Sequence, residues 1–440
     1  MTAEIAILNR SAVALAADSA VTISTPTGPK IFESVNKLFA LVKQQPVGIM
    51  IYDSADLLGV PWETVIKAYR MERRGKAFGV LDEYAADFLN FITATPELLP
   101  KDLHDLYFEE SIRRRLGILL DEINQEVMKA LNAGERLAQQ KIRDIVNVVL
   151  TAEESQWEAQ PDGGWIATAD LDRLEKRWRE RVDALIVEIF QELPLTATQR
   201  KRLRVLLVGS LGKEPYWHNG SGSPVDPQSG IVIAGFGEKE YFPRLLSFDI
   251  SGVVDGHLRV KPNHEVAITA DNLASVVPFA QRDMVDGFFS GINPAVERSV
   301  DAYWGAVEQT LPDGVLQLLR QHVPGVDDAA ASALAGPLRS LMAMTIRELE
   351  THLNRLKGDQ VTPILNSVIY LPKDELAAMA ESLVNLTSLK RRVSIDDPQT
   401  VGGPVDVAVI SRGDGFVWIK RKHYFTQELN PSWAGTHAEG

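Results

Sequence analysis

The sequence predicts an α+β protein in which a mixed core is interrupted by two helical insertions. Strand-like runs occur in three separated pieces, residues 1–52, 228–270 and 400–425, and each piece is too small to fold alone. Between these pieces the apolar spacing changes to the helical period, over residues 101–210 and 296–356. We therefore expect one discontinuous core into which the helical segments are inserted.

The first strands are short apolar runs. Residues 3–8 and 12–17 are separated by a polar Asn-Arg-Ser triplet, which predicts a hairpin. Residues 37–43 and 47–52 predict two further strands. Because several of these runs are apolar at successive positions, we expect strands that are covered on both faces, as in a layered core.

The remaining elements follow from their hydrophobic period. Helices are predicted over residues 54–74, 80–97, most of 101–210, 272–291, 296–356 and 375–392. Strands are predicted over 231–236, 244–250, 257–260 and 265–269, with a last hairpin at 405–421. The resulting division places the core in 1–100, 228–295 and 361–428, the insertions in 101–227 and 296–360, and a flexible tail in 429–440.

Composition excludes several classes of function. With 46 basic and 59 acidic side chains the formal charge is −13, which argues against a general nucleic-acid partner. No apolar run approaches the ~18 residues of a membrane helix. The absence of cysteine excludes disulfides, thiolate metal sites and cysteine nucleophiles, and it fits a cytoplasmic protein. The arginine run at residues 113–115 is expected to be a solvated helix face.

Thr2 is the first candidate for chemistry. A small second residue allows Met1 to be removed, which leaves a threonine with a free α-amine. Such a residue combines a hydroxyl nucleophile with an amine that titrates near 7.7–8.0 and can accept the hydroxyl proton. Many proteins begin with Met-Thr, so this position alone does not identify an enzyme.

Asp18 and Lys37 are expected to join Thr2. Asp18 ends the second strand, so a hairpin returns it beside the start of the first. Lys37 opens the third strand, from which its ammonium could reach the same end of the sheet. A cation there lowers the pKa of the amine, and a neighbouring carboxylate fixes the cation. Each residue alone also fits an ordinary structural role, Asp18 in a turn and Lys37 at a solvated edge.

Four motifs in this order resemble the proteasome β-subunit and its simpler bacterial homologues, which are N-terminal-nucleophile hydrolases. They are Thr2 at the head of a strand, residues 13–20 (VALAADSA), 36–41 (NKLFAL) and 401–415 (VGGPVDVAVISRGDG). The resemblance covers about residues 1–75, 228–295 and 365–425. It implies a four-layer αββα sandwich, with two sheets face to face and helices outside.

The resemblance also implies the roles of individual residues. Thr2 matches the nucleophile, Asp18 the aspartate after the second strand, and Lys37 the lysine before a Leu-Phe pair, with Lys30 as a weaker competitor. Backbone N–H groups near the end of the next strand would bind the oxyanion; these belong to Met50, Ile51 and Tyr52. The family chemistry needs no metal or organic cofactor. Its partners would be a peptide or amide substrate, further copies of the chain in a ring, and an ATP-dependent unfoldase. The net charge and the lack of a long apolar run predict no nucleic-acid or membrane partner.

Three departures from the family pattern bear on this site. The predicted strand over residues 47–52, which would carry the oxyanion donors, contains glycine only at Gly48. In the family, the glycine stands later in this strand. Residues 276–281 (VVPFAQ) replace a Gly-Ser-Gly element. The family's Asp-x-x-Ser-Gly-Gly becomes residues 397–403 (DPQTVGG), in which Asp397 and Thr400 substitute for the acid and the serine.

Three functions remain open at this point. The first is an N-terminal threonine hydrolase that cleaves amide bonds, especially of peptides. The second is a small-molecule amidase, in which the helical insertions cap the pocket. The third is a catalytically inactive structural subunit, which the altered glycine and serine elements would suit.

Overall fold

The computed structural model describes most of the chain. The described residues are 2–25, 28–191, 193–215, 226, 228–323, 327–393, 401–423, 425–426 and 429–430. Asp397, Thr400 and most of the expected C-terminal tail lie outside them.

The described strands are mostly short and lie in three stretches of the chain. They are β1 (Ala3–Asn9), β2 (Val13–Ala17), β3 (Val21–Thr25), β4 (Gly28–Phe32), β5 (Leu38–Ala40), β6 (Val47–Asp53), β7 (Asp56–Leu57), β8 (Val60–Pro61), β9 (Ser229–Gly235), β10 (Arg244–Val254), β11 (His257–Ala267), β12 (Ala274–Ala280), β13 (Asp406–Ser411) and β14 (Gly415–Lys420). With the helices below they form an α+β protein with antiparallel sheets.

The described helices fill the segments between the strands. They are α1 (Trp62–Glu72), α2 (Leu81–Ala94), α3 (Lys101–Asn132), α4 (Gln139–Ala159), α5 (Thr168–Phe190), α6 (Ala197–Gly209), α7 (Asp283–Ser290), α8 (Pro294–His322), α9 (Asp328–Val368) and α10 (Lys373–Val393). Within the described part of the chain, none of these helices is both long enough and apolar enough to cross a membrane.

The chain divides into two compact units. The first unit comprises Met1–Ser34, Ile268–Val409 and Val417–Tyr424. The second comprises Val35–Ala267, Ile410–Phe416 and Phe425–Gly440.

The first unit is built on a sheet with the strand order β12-β1-β2-β13-β14. β1 pairs antiparallel with β2 from Glu4↔Ala17 to Leu8↔Val13, so the predicted first hairpin is present. Every residue of β1 and β2 is buried, as expected for strands that are apolar at successive positions. One face of this sheet packs in a cluster with α7, α9 and α10, which includes Ala14 and Ala380.

The second unit contains a sheet with the order β11-β10-β9-β6-β5. Ile49 of β6 lies opposite Ile233 of β9, and both belong to a core that includes α1 and α2. Within that core the rings of Tyr69 and Phe88 meet edge to face at 5.0 Å. A separate apolar cluster joins helices α3 to α6, as their helical period predicts, and it takes in Val254 at the end of β10.

Three predicted elements are wrong in detail. Residues 272–291 do not form one helix, because residues 274–280 make the edge strand β12 along β1 and only α7 is helical. Pro278 is compatible with an edge strand, where one N–H needs no strand partner. The helix predicted from residue 54 begins at Trp62, after the β7–β8 hairpin. The two strands predicted between residues 257 and 269 are one bulged strand, β11.

Glu153 on α4 is a buried carboxyl group, 6 % exposed. Burial raises its pKa from 4.5 to about 7, and the charge of Glu122 adds to the increase. Between these two values the folded state binds more protons than the unfolded state. The free energy of unfolding therefore falls as pH rises from about 4.5 to 7.

Glu153→Gln is expected to raise the free energy of unfolding at pH 8 by on the order of 3 kcal/mol. Below pH 5 the substitution should change the free energy of unfolding little. Urea unfolding at both pH values measures the difference. Glu158→Gln, an exposed position on the same helix, is the control and should change neither value. A variant with the pH dependence of the original protein would contradict the assignment.

Candidate active site

Thr2 lies immediately before β1 and is 1 % exposed. Its Oγ1 donates a hydrogen bond to Oε2 of Glu4 over 2.9 Å, and its carbonyl accepts one from the N–H of Gln281 over 3.2 Å. Residues two apart on a strand point to the same face, which brings the side chains of Thr2 and Glu4 together. The hydroxyl proton of Thr2 is therefore directed at a carboxylate oxygen.

Glu4 is a site residue that the sequence analysis missed. It is fully buried, with 0 % exposure. The available signal was one acidic residue within the apolar run AEIAIL of β1. Burial of a carboxylate is costly unless it is hydrogen-bonded, so such a residue calls for a nearby donor. Thr2 is one such donor.

Asp18 follows β2 and is also fully buried. Its Oδ1 accepts a hydrogen bond from the N–H of Ala3 over 3.2 Å, and its own N–H donates to the carbonyl of Ala3 over 3.1 Å. Its Oδ2 accepts from the N–H of Gly402 over 2.9 Å. The structure thus places Asp18 beside the residue that follows Thr2, where it fixes the start of β1.

The Gly402-Gly403 pair packs closely on the residues after β2. The N–H of Ser19 donates to the carbonyl of Gly402 over 3.1 Å. Gly403 has φ +76°, and a Cβ there would lie 2.8 Å from the carbonyl oxygen of Glu33. Only glycine fits this conformation without a shift of backbone atoms.

Lys37 belongs to the second unit, directly before β5, and is 2 % exposed. Its carbonyl accepts a hydrogen bond from the N–H of Ile51 over 2.9 Å. That the ammonium of Lys37 lies close to Thr2 stays a prediction. Lys30, the competitor, lies exposed on β4 with its ammonium 6.0 Å from the ring centre of Phe32.

The expected oxyanion donors lie in β6, between β9 and β5. The N–H of Ile51 already donates to Lys37, so Ile51 does not offer a free amide in this structure. Met50 and Tyr52 lie opposite Val232 and Gly230 of β9. Their oxyanion role stays a prediction.

The sequence patterns also did not indicate a hydrogen-bonded group of three polar side chains at the end of β6, formed by Tyr52, Asp249 and Asn263. The hydroxyl of Tyr52 donates to Oδ1 of Asp249 over 2.6 Å, and Nδ2 of Asn263 lies 3.2 Å from both oxygens. Burial raises the pKa of Tyr52, and the charge of Asp249 raises it further. A Cβ atom added at Gly230 would lie 1.9 Å from the ring of Tyr52, which explains why residue 230 is glycine.

Asp53 ends β6 in the left-handed region, with φ +63°. The residue is exposed over part of its surface, yet desolvation of its carboxyl group raises its pKa. The charge of Asp249 adds to this increase and that of Lys37 opposes it. The buried ammonium of Lys37 therefore has a carboxyl group of its own unit in its electrostatic surroundings.

Comparisons with known proteins do not assign this chain to a family. Neither a family model nor a curated protein matches the chain. Among solved structures, the chain is similar to a Gly-1 mutant of Anbu from Hyphomicrobium sp. strain MC1. The identity is 8 % and the TM-score 0.24, over 100 % of this chain and 96 % of that chain. A likeness of this size supports no conclusion about activity.

Proposed function

We propose that the chain is an amide hydrolase whose nucleophile is the hydroxyl of Thr2. Removal of Met1 would leave the α-amine of Thr2 free. The observation that carries the proposal is the hydrogen bond from Thr2 Oγ1 to the buried carboxylate of Glu4. A hydroxyl paired with a proton acceptor is the usual arrangement of an activated nucleophile. The motifs shared with N-terminal-nucleophile hydrolases support the same chemistry and a four-layer αββα sandwich.

In the proposed reaction, Thr2 Oγ1 attacks the carbonyl carbon of the substrate amide. The hydroxyl proton passes to the carboxylate of Glu4 or to the amine of Thr2, and then to the leaving nitrogen. Collapse of the tetrahedral intermediate leaves an ester on Thr2, which water hydrolyses to regenerate the hydroxyl. Asp18 positions the strand that carries Thr2, and Lys37 is proposed to favour the ionised hydroxyl.

Labelling at Thr2 tests this proposal. An α′,β′-epoxyketone reacts fully only with a residue that offers both a hydroxyl and a free amine. We expect mass spectrometry of the purified protein to show loss of Met1 and one adduct on Thr2. Retained Met1, or no adduct on Thr2, would favour the catalytically inactive structural subunit.

Glu4→Gln separates the two proton acceptors in the same assay. If the carboxylate takes the proton, the labelling rate should fall by roughly 10²–10⁴-fold. An unchanged rate would assign the role to the amine of Thr2. Glu375→Gln, an exposed position on α10 in the same unit, is the control and should label normally.

A small-molecule amidase is the second candidate, and the burial of Thr2 favours it. A side chain that is 1 % exposed is reached more easily by a small amide than by an unfolded chain. Cleavage of unfolded casein would favour the peptidase instead. Assembly into a ring and delivery of substrates by an ATP-dependent unfoldase are further proposals that follow from the resemblance. A cytoplasmic location is a proposal that follows from the absence of cysteine.

A further inference from the structure

Helices α8 and α9 of the first unit bury few of their side chains. α8 has 29 residues and α9 has 41. Of the side chains that the structure describes on these two helices, only Pro312, Leu316 and Val368 are buried. Helices in proteins are stabilised chiefly by the burial of an amphipathic face, so we expect a pair this exposed to bury a further surface.

The two helices form an antiparallel hairpin whose register is set by two ion pairs. Glu297 of α8 pairs with Lys357 of α9, and Asp313 of α8 pairs with Arg339 of α9 over 3.0 Å. In an antiparallel pair, each step forward along one helix corresponds to one step back along the other. Counting from the ion pairs therefore places apolar residues side by side, namely Leu318 with Leu334, Leu311 with Leu341, and Val296 with Leu356.

These apolar residues lie on the same side of the hairpin. Val296 directly precedes Glu297, and Leu356 directly precedes Lys357, and the latter residue of each pair is turned towards the other helix. One residue corresponds to a rotation of about 100° around the helix axis. Because the helices run in opposite directions, the two rotations are mirrored and bring both apolar stripes to one side.

We call this apolar surface the hairpin face. Its side chains are between 37 and 66 % exposed, and they are Val296, Val300, Tyr303, Leu311 and Leu318 of α8 with Leu334, Leu341, Met344 and Leu356 of α9. They are spaced at the helical period, and the residues that flank the stripe on α8 include the uncharged Ser299, Thr310 and Gln317. Few charges, together with tyrosine and methionine, are typical of the centre of a protein–protein interface.

The size of the hairpin face matches what a stable dimer needs. From Val296 to Leu318 the face is about 33 Å long at a rise of 1.5 Å per residue, and two adjacent helices are about 20 Å wide. Two copies packed face to face would bury about 1,300 Å², within the roughly 1,200–2,000 Å² of specific interfaces. An identical hairpin also offers apolar pairs of the same spacing.

We propose that the hairpin face binds the hairpin face of a second copy of this chain. The two hairpins then form a four-helix bundle about a two-fold axis. This contact differs from a ring, in which each subunit uses two different surfaces. The inference does not depend on the hydrolase proposal, because none of its residues belongs to the candidate active site.

Sedimentation equilibrium of the full chain tests the proposal. The original protein should associate in pairs. Leu311→Glu should weaken this association by at least about a hundredfold, because the two-fold axis brings the new charge into the interface twice. Leu131→Glu is the matched control and should associate normally, because Leu131 has the same 46 % exposure but lies on α3 in the second unit.

Two results of that experiment would overturn the proposal. One is an original protein that stays monomeric at every concentration. The other is equal association of the Leu311→Glu and Leu131→Glu variants. Circular dichroism of both variants should show the helix content of the original protein, because both substitutions are at exposed positions.

Thiol reactivity tests whether this particular surface is covered. The chain contains no cysteine, so Leu318→Cys introduces a single thiol. Its reaction with a maleimide should slow by at least about tenfold when the protein concentration is raised from the monomer range to the dimer range. Val187→Cys, at an exposed position of α5, should react equally at both concentrations. Equal rates for Leu318→Cys would show that the copies meet elsewhere and would overturn the proposal.

Discussion

Thr2→Ala is expected to reduce amide hydrolysis by at least about a thousandfold, because the variant lacks the attacking hydroxyl. Alanine is also a small second residue, so removal of Met1 should proceed as before. Initial rates on a panel of fluorogenic peptides and small amides measure the loss. Hydrolysis at the original rate would exclude Thr2 as the nucleophile.

The controls for this experiment separate chemistry from folding. Loss of the hydroxyl removes the 2.9 Å hydrogen bond that Thr2 donates to Glu4, which is expected to cost about 1–3 kcal/mol of stability. Thr2→Ser retains a hydroxyl and should keep measurable hydrolysis. Ser11→Ala changes a hydroxyl at the opposite end of the β1–β2 hairpin and should leave the rate unchanged.

Asp226→Asn is expected to lower the free energy of unfolding by about 3–5 kcal/mol. The carboxylate is 2 % exposed and bonds the guanidinium groups of Arg115 and Arg259, which are themselves buried. A neutral amide would leave two buried cations uncompensated. Urea unfolding at pH 7, followed by circular dichroism, measures the change.

The pH dependence gives this prediction a second test. Burial acts to raise the pKa of Asp226, but the charges of Arg115 and Arg259 outweigh it and hold the pKa below its ordinary value. The stabilisation is therefore present above the ordinary carboxylate pKa of 3.8 and is lost as pH falls below it. The difference between Asp226→Asn and the original protein should shrink in acid.

Asp162→Asn is the matched control for that experiment. Its carboxylate pairs with Lys213 over 2.9 Å, but its side chain is 85 % exposed. An exposed pair of this kind is worth about 0–1 kcal/mol. Equal losses of stability in the two variants would show that Asp226 does not have the proposed structural role.

The sequence predicts best where one local pattern decides the structure. The helical period of α3 to α6 and the apolar runs of β1 and β2 identify these elements without knowledge of the rest of the chain. β12 was mistaken for a helix because its strand conformation depends on pairing with β1, far away in the sequence. The strands of the β7–β8 hairpin are two residues each, too short for a period to be recognised.

The candidate site shows the same limit. Hairpin geometry leads from the sequence to Asp18 beside the start of β1, whereas Glu4 was overlooked within an apolar run. Backbone donors are harder to predict, because every residue has an N–H and only the strand register shows which are engaged. Ile51 is the example, since its N–H is used by Lys37.

The hydrogen bond between Asp18 and Gly402 joins residues that are 384 positions apart. During translation, Thr2 and Asp18 leave the ribosome long before Gly402 has been synthesised. Domains fold as their residues become available, so the start of β1 cannot be fixed in its final form on an incomplete chain. If the chain is the proposed hydrolase and needs this mature arrangement, nascent and prematurely terminated chains would be inactive, and neighbouring polypeptides would be protected until synthesis is complete.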